Sequence, residues 1–139
     1  MTAEILERFE VIEECYEFML AYAAQGLASD KGSESGRQVR EFLNRAAQAL
    51  TGFTECCVSA MGDSRPAFLA VLERDASDSL AALDLVLAQP AISSQLIDNL
   101  NASVHLRALL TDVFLLGEVL RSRQGRSSYR RFLALERAT

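Results

Sequence analysis

A chain of 139 residues, half of them hydrophobic and with a net charge of −5, is sized for one domain with its own core. Two prolines, seven glycines and few β-branched residues favour helices over sheet or low-complexity structure. Three cysteines, an odd number, and the acidic start MTAEILERFEVIEE argue against a disulfide framework and a targeting segment, so a reducing, cytoplasmic setting is expected.

The first helix is expected over residues 3–27. Ile5, Phe9, Ile12, Tyr16, Met19 and Ala23 follow a 4, 3, 4, 3, 4 spacing, which is a heptad seam. Glu7, Glu10, Glu14 and Glu17 form a second, solvated stripe. The segment GLASDKGSESG ends the helix with Gly, Ser and Asp. Ser35 and Gln38 then make a capping box for a second helix, whose seam runs through Val39, Phe42, Ala46, Ala49, Phe53, Cys56 and Ala60.

MGDSRP separates that helix from a third, with Asp63 or Ser64 as N-cap and Pro66 in the tolerated first turn. Phe68, Leu69, Leu72, Ala76, Leu80, Leu83 and Leu87 carry the third helix to the AQP stop. A fourth is expected from Ile92 or Ser93 to about Arg121. Its second half, residues 106–120, is apolar around most of its circumference and therefore needs cover on several faces. That stretch is too short for a comfortable membrane span. Its Arg107, Asp112 and Glu118 would each cost about 2.5–3.5 kcal/mol at mid-membrane, so no membrane partner is expected.

Four long helices joined by short turns predict an all-α, antiparallel up-down four-helix bundle over residues 1–121. Residues 122–139 read as a basic tail. Gly125, Ser127 and Ser128 suggest a turn, after which a short fifth helix would use Tyr129, Phe132, Leu133 and Leu135 to dock on the bundle.

Bundles often hold metals, yet the chemistry that requires them has no local signature here. Carboxylate-bridged di-iron sites need Glu-x-x-His, and Ala102 stands three residues before His105, the single histidine. Adjacent Cys56 and Cys57 point about 100° apart on a helix and do not converge as zinc ligands do. Around His105 the sequence HLRALL lacks the basic residue at +3 and glycine at +4 of phosphotransfer domains. No arginine stands four to six residues ahead of it, as helical ribonucleases of the HEPN type require. P-loop, dinucleotide-binding and nucleophile-elbow motifs are missing. No catalytic residue, metal or cofactor is assigned.

Charge is distributed unevenly. Residues 1–120 carry eight basic and eighteen acidic side chains, hence −10, whereas residues 121–139 carry six basic and one acidic, hence +5. An acidic body repels phosphate, and cations are favourable at a helix C-terminus, so the arginines are expected to meet protein carboxylates and not nucleic acid. The function expected is that of a non-enzymatic interaction protein: an adaptor, assembly factor or chaperone-like partner that forms a homodimer. Its contact residues would be Leu109, Val113, Phe114, Leu116 and Leu120, with Arg130, Arg131 and Phe132 from the tail. The alternative is a small-molecule or cofactor-binding bundle, a sensor using Cys15, Cys56, Cys57 or His105.

Overall fold

The computed structural model describes residues 2–61 and 67–138, with side chains over 3–61 and 67–122. These residues are all-helical, in the order α1 (Thr2–Ala24), α2 (Glu34–Leu50), α3 (Phe53–Met61), α4 (Phe68–Leu87), α5 (Ser94–Ala102) and α6 (Val104–Ala138). No strand occurs among them. Two of the four helices expected from periodicity are each divided in two, and the last is longer than expected.

In α1 the fully buried row is Ile5, Phe9, Ile12, Cys15, Met19 and Tyr22, with Tyr16 and Ala23 partly buried beside it. The glutamate stripe is exposed as the spacing implied. The helix ends ahead of Gly26, whose φ of 67° is left-handed backbone that favours glycine. Ser33, not Ser35, caps α2: its Oγ accepts from Gly36 N at 3.0 Å.

The second expected helix breaks at Thr51 and Gly52, where glycine again takes a left-handed φ of 70°. Carbonyls freed at that end need donors, and Arg8 of α1 supplies them. Its Nη1 donates to Ala49 O at 3.0 Å and to Thr51 O at 2.6 Å. Beyond the break, Phe53 meets Phe9 with ring centroids 5.7 Å apart, so α3 stays on the face of α1 that α2 left.

The caps expected for the third helix, Asp63 and Ser64 with Pro66, lie outside the described residues. The start expected near Ile92 or Ser93 holds: Ser93 caps α5, accepting from Leu96 N at 3.0 Å. About two and a half turns later Ser103 leaves the helical backbone, and its Oγ accepts from Leu106 N at 3.3 Å to start α6.

From there α6 runs unbroken for 35 residues, about 52 Å. The turn and separate fifth helix expected at residues 125–128 do not form. Gly125 costs about 1 kcal/mol inside a helix, but continuing one avoids nucleating another, and the flanking Arg, Gln and Leu residues propagate well.

Helix α1 packs against α2, α3, α5 and α6, and α4 packs against α2, α3 and α6. Contacts step in opposite senses along α1 and α2. Phe18 stacks on Phe42 at 4.5 Å while Glu14 meets Arg45 at 3.6 Å, which makes α1 and α2 antiparallel. Between these helices lies one apolar core whose largest fully buried side chains include Tyr22, Phe9, Phe53, Ile5 and Met19.

Candidate interaction surface

Helix α6 carries the residues singled out from sequence. Leu109, Val113, Leu116 and Leu120 are buried in the chain's own core, together with Leu106 and Leu110. They pack against α1, α4 and α5, so the surplus of apolar surface is smaller than periodicity implied. Phe114 differs: it is 53% exposed, and sequence-adjacent Leu115 is 56% exposed, with Val119 at 44%. Arg130, Arg131 and Phe132 belong to α6, but their side chains lie outside those described.

The exposed trio spans two successive turns of one helix, interrupted by Glu118. Helix α4 lies alongside. Ser79 Oγ donates to His105 O at 2.9 Å, His105 Nδ1 lies 4.0 Å from Asp78 Oδ2, and Asp75 meets Asp112. These contacts fix an antiparallel register. Carried one turn further, the register places Val71, itself 48% exposed, level with Leu115 and one turn short of Val119. The apolar surface therefore straddles the α4–α6 seam, and periodicity within one helix gave no sign of the α4 contribution.

A second polar constellation closes the opposite end. Asp30, buried in the loop after α1, takes Arg40 Nε at 2.5 Å on Oδ2 and Ile92 N at 2.7 Å on Oδ1. The same guanidinium donates to Leu87 O at 3.2 Å and Gln89 O at 2.9 Å, satisfying the end of α4. Tyr22 Oη donates to Ile92 O at 2.7 Å; Ser94 Oγ donates to Tyr22 O at 2.6 Å and accepts from Leu27 N at 2.9 Å.

Burial raises the Asp30 carboxyl, but the hydrogen bonds from Arg40 and Ile92 outweigh it and hold the group below the usual carboxylate value. Burial, with Asp30 nearby, pushes the Tyr22 phenol up despite Arg40. Each of these polar side chains is already matched to a protein group, so the cluster is a joint between four chain segments.

The cysteines are buried and unpaired. Burial pushes Cys15 up to about 12 against the pull of Arg45, and burial with neighbouring Cys56 pushes Cys57 up to about 12. Burial and then Glu4 raise Cys56 as well. Such thiols hold little thiolate at neutral pH, so their chemistry here is packing. His105 is half exposed on the seam.

Among the described residues no three His, Cys, Asp or Glu side chains gather as metal ligands would. None of their helices is long and apolar enough to cross a membrane. Among the described residues, one groove of about 340 Å³ is lined by Glu4, Glu7, Arg8, Val11, Arg45, Gln48 and Ala49. No protein-family model, curated protein or solved structure matches the chain.

Proposed function

We propose that the protein is a non-enzymatic, cytoplasmic interaction module: an antiparallel four-helix bundle that pairs with a second copy through the outer face of α6. In this reading α2–α3 and α5–α6 each stand for one broken helix of the bundle. The antiparallel contacts of α1 with α2 and of α4 with α6 support the architecture. Unpaired buried thiols suit a reducing compartment.

The observation that carries the proposal is the exposed apolar surface of Phe114, Leu115 and Val119, extended by Val71. Charge complementarity selects the occupant. An antiparallel pairing of two α6 helices about the 114–119 stretch carries each basic C-terminal end, +5 over residues 121–139, over the acidic body of the other copy, −10 over residues 1–120. Four half-exposed side chains fall short of the roughly 1,200–2,000 Å² of a stable interface, so association in the tens of micromolar is expected.

Leu115→Glu with Phe114→Glu tests the reading, since both sites are more than half exposed and tolerate charge in the monomer. The double variant should elute as monomer at concentrations where the wild type elutes as dimer, with its thermal melt preserved. Raised salt should weaken the wild-type dimer through the charge term. Unchanged elution of the double variant would sink the proposal.

A further inference from the structure

The α4–α6 seam contains a carboxyl pair that the interaction surface does not use. Asp112 of α6 is only 4% exposed, and its Oδ2 is buried without a hydrogen-bond partner among the described residues. Asp75 approaches it from α4, near enough for the two carboxyls to share a hydrogen bond. Two carboxylates cannot bond to each other, because both only accept. A proton held between them supplies the missing donor and removes the repulsion. From the geometry we propose that α4 and α6 are joined by a proton-dependent latch, closed when the Asp75–Asp112 pair holds one proton and strained when both groups ionise.

The surroundings favour protonation. Among the described residues, the charged group acting on Asp112 is Asp75; neither α1 nor α5, which also pack on α6, brings a cation that acts on it. Burial, followed by the hydrogen bond and charge of Asp75, raises Asp112 to about 7. Further along the seam stand Asp78 and His105, 4.0 Å apart and both half exposed. The α4–α6 seam also supports the exposed surface of Val71, Leu115 and Val119, so the latch governs how its two halves are held together.

The sign follows from linkage. A carboxyl raised in the folded state stabilises fully below its unfolded value, and that stability is lost as pH climbs through about 7. Asp30 acts oppositely and at lower pH, because its folded value is depressed.

The test is a thermal melt of the full chain from about pH 5 to about pH 8, at a concentration low enough to keep it monomeric, with Asp112→Asn, Asp75→Asn and His105→Gln alongside. The wild type should lose roughly 5 °C or more across this range. Asp112→Asn should flatten most of the slope and melt above the wild type at the alkaline end, and Asp75→Asn should flatten it too. His105→Gln should leave most of it. A carbon-13 titration of the Asp112 carboxyl should show a midpoint near 7. A wild-type melt independent of pH, or an Asp112→Asn variant with the wild-type slope, would overturn the latch. Because the melt is read on monomer, its result stands apart from that of the pairing proposal.

Discussion

Replacing Asp30 by Ala should be among the most damaging single changes to a polar side chain in this protein. The carboxylate is 7% exposed and bonds Arg40 Nε at 2.5 Å and Ile92 N at 2.7 Å. Removal forfeits a charge-assisted hydrogen bond, worth about 1.5–3 kcal/mol, and leaves a buried amide unsatisfied at about 1–3 kcal/mol. Arg40 is not stranded, because it is 31% exposed and keeps the carbonyls of Leu87 and Gln89. That places the cost near 3 kcal/mol, below the full sum, or about 10 °C in Tm for a chain of this length.

Asp30→Asn retains an acceptor for Ile92 N and should lose about half as much. Urea unfolding of both variants, and of each combined with Arg40→Ala, measures the coupling. Since the Asp30 carboxyl is held low, its contribution is present above the unfolded value, near 4, and is lost as pH falls through the folded one. The gap between wild type and Asp30→Ala should therefore close in acid. An Asp30→Ala variant within about 0.5 kcal/mol of wild type, or a gap that persists in acid, would refute the reasoning.

Gly36→Ala should destabilise by more than about 3 kcal/mol, since an added Cβ would sit 1.7 Å from the backbone oxygen of Asp30; urea melts will show whether the loop yields instead. In native buffer Cys15 and Cys57 should react with a thiol reagent only as fast as the chain opens, whereas in denaturant all three cysteines should react at once. Quantifying released chromophore against time distinguishes this from fast native labelling of either residue.

The helical class and most of α1 could be read from the sequence because apolar spacing reports burial directly. The breaks could not. Leu50 and Phe53 are both buried on either side of Gly52, so the apolar stripe keeps its phase across the interruption. The local signal was Gly52 itself, at the position where a left-handed cap ends a helix. At Ser103 the effect on the reading was larger. Asp98 and Asn101 stand on α5 and His105 and Asp112 on α6, so the break at Ser103 separates the two pairs.

Within each pair one residue is buried and one exposed: Asn101 and Asp112 lie inward, Asp98 and His105 outside. Arg40 and Arg8 escaped notice for another reason: their acceptors are backbone carbonyls of other helices, 47 and 41 positions away for Leu87 and Ala49. No spacing rule within one element encodes such partners.

Sedimentation velocity of the wild-type chain, from about 5 to about 200 micromolar at physiological salt, tests the account most directly, because that range brackets the affinity expected of a small apolar interface. The sedimentation coefficient should rise with concentration from monomer to dimer and stop there, as a closed twofold contact requires. A single monomeric species over the whole range would contradict the assignment of Phe114, Leu115 and Val119 as a pairing surface.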